Sequence, residues 1–287
     1  MHDTTDPTKP ADAPIYRGMS RAALDAAYNN GAAVADSDRW LEQWRRRSAE
    51  LRAAPGARLD IAYGPKQRTR LDYFPAGRPG APLFVFLHGG YWQRNAKDMF
   101  AFVAEGPRQR GIDVAVVGYT LAPDARLSEI AGEVSDALAF LHGNAAVFGF
   151  DRRALCVGGW SAGGHLAAVS CGHPAVRCAL AISGIFDLEP IALSYINDRL
   201  RLDAGELAAL SPVRTLRSGL APLALAVGGD ELPELQRQST SFAAAAEALG
   251  VAMALHVLPG HHHYSILDEL ARPDGALTGE LVRLVAA

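Results

Sequence analysis

"ALCVGGWSAGGHLAAVS", residues 154–170, joins an apolar run to a helix-like one through Gly159-Trp160-Ser161-Ala162-Gly163. Small residues two before and two after a serine let the chain turn sharply from a strand into a helix, with the hydroxyl exposed at the turn. A strand that runs straight into a helix in this way belongs to a parallel sheet, and the rest of the chain has the matching texture. "PLFVFL" (82–87), "DVAVVGY" (113–119), "CALAISGIF" (178–186), "PLALAVGG" (222–229) and "VAMALHVLP" (251–259) are near-continuous apolar runs separated by helix-like segments, as expected of strands buried on both faces. "RLDIAYG" (58–64) and "TRLDYFPA" (69–76) alternate apolar and polar residues across the short connection "PKQR", which predicts an antiparallel pair at the sheet edge. The sum is an eight-stranded, mostly parallel α/β sheet flanked by helices.

Ahead of it, "SRAALDAAYNN" and "DSDRWLEQWRRRSAELRA" carry apolar residues at helical spacing, with Ser20 and Asp36 or Ser37 as N-caps. Trp40 and Trp44, four apart, form a packing stripe on the second of these helices. Residues 188–220 exceed the usual short connection and predict a partly helical cap over the strand ends. The first fourteen residues are polar and proline-rich without an apolar core, so they read as a loose tail rather than a secretory signal, and residues 15–287 as a single domain.

A net charge of -3 with 21% charged residues gives no reason to expect nucleic acid as a partner, and no stretch approaches the roughly 20 apolar residues of a membrane span. A cytoplasmic protein acting on a small molecule is the expectation, with the oligomeric state left open. The three cysteines, Cys156, Cys171 and Cys178, match no zinc spacing and read as buried reduced thiols.

Serine alone is a poor nucleophile and requires a base, which a third group must orient. In α/β-hydrolases these follow in the order Ser, Asp or Glu, His. The strand "PLALAVGG" leads to Asp230-Glu231 and the strand "VAMALHVLP" to His261-His262-His263, both at carboxyl ends, where such a sheet collects its ligands. Asp230 is the expected acid, with Glu231 and Asp187 as competitors, the latter placed to brace the cap. The histidine triplet lacks a spaced carboxylate or cysteine, so neither a metal nor a cofactor is expected. His256, inside a strand pattern, is read as structural.

When a serine attacks a carbonyl, amides must already face the developing oxyanion. "FLHGGYWQRN" (86–95) leaves a strand through two glycines, whose bare backbone allows that approach. Gly89, Gly90 and the amide of Ala162 are the expected oxyanion hole. Tyr91, Trp92, Trp160, Phe186 and Tyr195 could wall an aromatic site or simply fill the core.

With these residues in hand, the chain resembles the kynurenine formamidase (arylformamidase) branch of the α/β-hydrolase fold. "HGGYW" (88–92) stands in place of the HGGG of lipase-like esterases, and "SGIFDLEPI" (183–191), "PELQRQS" (233–239) and His263-Tyr264 are similar to that family. The resemblance implies Ser161 as nucleophile, Asp230 as acid and His263 as base. Trp160 departs from the histidine common in animal members, Gly164 from an alanine, and "GDELPE" is one residue longer than the family's acid loop. The implied activity is cleavage of N-formyl arylamines or small-acyl aryl esters through an acyl-enzyme. The alternatives are a broad short-chain carboxylesterase and a binding protein without turnover.

Overall fold

Side chains alternate between the faces of a strand, so a strand apolar at every position feeds two cores at once. β3 (Ala81–Leu87) does this: Leu83, Val85 and Leu87 enter one core, and Phe84 and Phe86 the other. The computed structural model describes residues 13–251 and 253–287. The expected tail at 1–14 lies almost wholly outside them. Around β3 stand β1 (Arg58–Ala62), β2 (Arg70–Phe74), β4 (Asp113–Val117), β5 (Phe150–Trp160), β6 (Cys178–Ile182), β7 (Leu223–Gly228) and β8 (Met253–Leu258). They form one sheet in the order β1-β2-β4-β3-β5-β6-β7-β8. β2 runs antiparallel to both β1 and β4, and the remaining neighbours are parallel. The expected eight-stranded sheet and its antiparallel edge are therefore present.

Two features carry the sheet toward a site. The helix Arg21–Ala27 starts where Ser20 Oγ accepts from the amide of Ala23, and Asn30–Ala33 starts where Asn29 Oδ1 accepts from Ala32. The third N-terminal helix, Ser37–Arg52, buries Trp44 completely against Phe100, Phe102, Trp160 and Tyr264, while Trp40 stays half-buried with its edge on His262. Between β6 and β7 lie four short helices, Glu189–Ala192, Asn197–Leu200, Ala204–Leu210 and Pro212–Thr215. Gln93 Nε2 donates to Ile196 O at 2.7 Å, and His165 Nε2 lies 2.8 Å from Leu210 O, so this segment is tied to the loop after β3 and to the helix after β5. All three cysteines are buried and free.

At the other edge, Asp72 on β2 is wholly buried. Its Oδ1 accepts from Lys97 Nζ at 2.7 Å and from the amide of Asp60 at 2.8 Å, while Lys97 also reaches Asp60 and Asp98. Removing Asp72 deprives Lys97 of its one fully buried acceptor while Asp60 and Asp98 remain, so Asp72→Ala is expected to lose about 1.5–3 kcal/mol in urea unfolding. Gly279→Ala, at an exposed helical position where a Cβ meets nothing within 4 Å, should instead gain about 0.5–1 kcal/mol.

Candidate active site

β5 ends at Trp160, the helix Ala162–Val169 begins two residues later, and Ser161 between them takes φ +58° and ψ -117°. Such a conformation is strained for a residue with a Cβ and persists only where the surroundings enforce it. Here they do: a Cβ on Gly159 would lie 2.4 Å from Gly163 O, and one on Gly163 would lie 1.9 Å from Leu87 O. The small residues flanking the serine are demanded by backbone packed on backbone. Ser161 N donates to Ile182 O at 2.8 Å, extending the pairing with β6 into the turn.

The loop after β3 is held as firmly. His88 is fully buried, stacked between Phe100 and Tyr119, and burial pushes its pKa down to about 4, so it is neutral near pH 7. Its Nδ1–H donates to Gly89 O at 2.9 Å, and Tyr119 OH donates to His88 O at 2.6 Å. Beyond it Tyr91 and Trp92 both take positive φ, 51° and 57°. Tyr91 OH donates to Tyr28 O at 2.6 Å and Ala122 N donates to Trp92 O at 2.8 Å, which fixes both strained residues. The amides of Gly90, Tyr91 and Ala162 donate to no acceptor among the described residues.

His263 is almost fully buried, and its Nδ1 lies 2.7 Å from Glu231 Oε2. The residue facing the histidine is therefore Glu231, and the expectation of Asp230 is corrected. After β7 the chain makes a tight turn in which Glu231 N donates to Gly228 O and Asp230 N donates to His261 O. That turn leaves the Asp230 side chain exposed and carries Glu231 inward, where its Oε1 also accepts from Ser183 Oγ at 2.5 Å and Gly228 N at 2.8 Å. Asp187 stands apart from the histidine: Oδ1 accepts from Glu189 N and Oδ2 from Tyr16 OH, a bracing role at the start of the helical segment.

The neighbouring histidines serve the loop. His262 Nδ1 accepts from the amides of Tyr264 and Ser265 at 3.2 Å, and His261 Nε2 lies 3.6 Å from Glu269. His256 on β8 lies 3.1 Å from Glu280.

Ser161 and His263 line one pocket of about 150 Å³ together with Gly90, Tyr91, Trp160 and Tyr195. Trp160 also donates from Nε1 to His263 O at 2.7 Å, which positions the histidine loop. Two expected aromatics are not on this pocket. Trp92 is wholly buried with its ring 4.9 Å from His165, and Phe186 is stacked on Phe242 at 4.5 Å, so both are core residues. Gly89 is also off the pocket, since a Cβ there would strike the Trp160 ring at 2.5 Å. Ala162 lies behind Ser161, fully buried.

The pocket has walls that sequence reasoning missed. Asn29, Asn30, Gly31 and Leu41 come from the N-terminal helices, Arg94 and Asn95 from the loop after Trp92, and Tyr264 follows His263. Arg94 is exposed and pairs with no carboxylate among the described residues. Asn95 Nδ2 donates to Gly89 O at 3.1 Å, and its own carbonyl accepts from Arg68 Nη2 at 2.5 Å. The "YNN" after an ordinary helix pattern was the available signal: two amides beside an aromatic, in place of the apolar residues that would continue a packing face. No described helix is long and apolar enough to cross a membrane.

Comparison with known proteins bears on the fold and the family. The family model described as BD-FAE matches residues 72–176, from β2 to past the serine turn. The kynurenine formamidase of Danio rerio is 30% identical over 243 residues, 79% of this chain and 81% of that one. The kynurenine formamidase of Drosophila melanogaster is 27% identical over 250 residues, 78% and 81% of the two chains. Among solved structures, a putative thioesterase from Silicibacter sp. TM1040 superposes with a TM-score of 0.81 at 30% identity, covering 92% of this chain and 99% of that one. The esterase LipW from Mycobacterium marinum, TM-score 0.72 at 21% identity over 88% and 90% of the chains, shares the fold. A likeness that runs through sheet, serine turn and histidine loop alike makes this chain a member of the kynurenine formamidase family of α/β-hydrolases.

Proposed function

We propose that this protein is a serine hydrolase that cleaves N-formyl arylamines, of which N-formylkynurenine is one, through an acyl-enzyme. The observation that carries the reading is the 2.7 Å hydrogen bond of His263 to the buried Glu231, with His263 and Ser161 lining one pocket. His263 Nε2 takes the Ser161 proton as Oγ attacks the formyl carbon, and Glu231 holds the ring tautomer with Nδ1–H facing the carboxylate. The oxygen of the tetrahedral intermediate takes hydrogen bonds from the free amides of Gly90, Tyr91 and Ala162. His263 then passes its proton to the departing arylamine nitrogen, which leaves a formyl ester on Ser161. Water, activated by the same imidazole, releases formate and restores the serine. No step calls for a metal or a cofactor.

Tyr91, where lipase-like enzymes have a third glycine, narrows the acyl side of the pocket, which favours formyl or acetyl over longer chains. Arg94 lines the pocket, pairs with no carboxylate among the described residues, and is suited to a carboxylate on the substrate. Short-chain aryl esters satisfy the same machinery, and the esterase among the structural relatives supports that second activity at the level of fold.

Ser161→Ala should keep the fold, abolish labelling by fluorophosphonates and lower kcat by roughly 10³-fold or more. Retained labelling would remove Ser161 from the role. Glu231→Gln should lower kcat/KM by several orders of magnitude, because an amide can hold the wrong tautomer, whereas Asp230→Asn should stay within about twofold. The reverse ranking in steady-state assays would return the acid to Asp230. Arg94→Gln should raise KM about tenfold for N-formylkynurenine and leave formanilide, which has no carboxylate, little changed. A kcat/KM that climbs with acyl length from two to eight carbons, with N-formylkynurenine untouched, would establish the general esterase instead.

A further inference from the structure

Asn30 is almost fully buried, lines the Ser161 pocket, and has a side-chain oxygen with no hydrogen-bond partner among the described residues. The orientation of its amide follows from its neighbour. Tyr91 OH gives its single proton to Tyr28 O at 2.6 Å, so toward Asn30 the phenol can only accept. The atom 3.0 Å away from it must then be the Asn30 NH₂, which donates, and Oδ1 is left free. A buried acceptor with no donor is uncommon in folded proteins and calls for an explanation. Main-chain groups do not supply one here, since the neighbouring amide of Ala32 is already taken by Asn29 Oδ1.

We propose that Asn30 Oδ1 is a specificity-determining acceptor that takes a hydrogen bond from an N–H on the aryl, leaving-group side of the bound substrate. It rests on the reading above only in taking the Ser161 pocket as the place where substrate binds. An arylamine or anilide supplies the missing donor. A plain aryl ester does not, and it leaves the acceptor stranded in a site now closed to water. Sites built to hydrogen-bond a substrate N–H or O–H discriminate strongly against analogues that lack it, because the protein group is then left unpaired. Tyr28, which orients Tyr91 and through it Asn30, is itself held by Glu234 and Gln238, so the acceptor is fixed before substrate arrives.

The test separates this assignment from the chemistry by measuring binding of aryl methyl ketones, which have an aryl group and an acetyl group but no cleavable bond. Calorimetry on the full chain would compare acetophenone with its 2-, 3- and 4-amino derivatives, for the wild type, Asn30→Leu, Asn30→Ser and Tyr91→Phe. At least one amino derivative should bind the wild type about tenfold more tightly than acetophenone. That preference should vanish in Asn30→Leu and in Asn30→Ser, either of which suffices if the other does not fold. Tyr91→Phe removes the hydroxyl that orients Asn30 but keeps Oδ1, and should reduce the preference without raising it. No amino preference in the wild type, a preference that survives loss of Asn30, or one that grows in Tyr91→Phe would overturn the assignment. N-formylkynurenine turnover is measured separately. If it is absent while the Asn30-dependent preference holds, the formamidase reading fails and the acceptor stands.

Discussion

The carbonyl oxygen of Leu87 occupies the space that a Cβ on either Gly159 or Gly163 would need, 2.6 and 1.9 Å away. Three pieces of backbone, the ends of β3 and β5 and the first turn of the following helix, thus touch without side chains between them. Every part of the site hangs on this contact. It forces Ser161 into its positive-φ turn, and it brings the loop that begins at His88 alongside. Nothing larger than hydrogen at these two positions is compatible with the arrangement, whereas at Gly164 the nearest atom to a Cβ is 2.9 Å away.

Much of this was legible because burial is written into composition. Strands flanked on both faces must be apolar throughout, and all eight appear where such runs or alternations occur. The serine turn was legible because its sterics admit few residues. The partner of His263 was misread by one position, because adjacent residues at the end of β7 look alike in sequence and only the turn decides which points inward. Trp92 and Phe186 were misassigned for a related reason. Aromatic character reports a need for apolar surroundings, and a core satisfies it as well as a pocket does. Asn29 and Asn30 lie some 130 residues from the serine, and no local rule connects them to it.

The run "PELQRQS" acquires a physical account from the contacts of Gln238. Its Oε1 accepts from the amides of Phe186 and Asp187, and its Nε2 donates to Tyr28 OH and Asp187 O. All four capacities of one buried amide are filled. Glu234, a turn earlier, accepts from Tyr28 OH and pairs with Arg237. The helix after the acid loop is thereby fastened to the N-terminal segment and to the start of the helical segment after β6, which are the two bodies that flank the pocket.

The N-terminal wall differs from the other walls in how it is attached. The floor of the site is part of the sheet, where a change of one atom is resisted by packed backbone, whereas the segment bearing Asn29 to Gly31 meets the floor through the Tyr91 hydroxyl, which donates to Tyr28 O and accepts from the Asn30 side chain, with Leu24 and Tyr28 packed into the core beside it. Because Tyr91 is itself held by that join, a change in the segment is felt by the loop after β3 as well as by the wall. A laboratory library directed at this short stretch upstream of the sheet would therefore alter the shape of the pocket and the setting of its amides together.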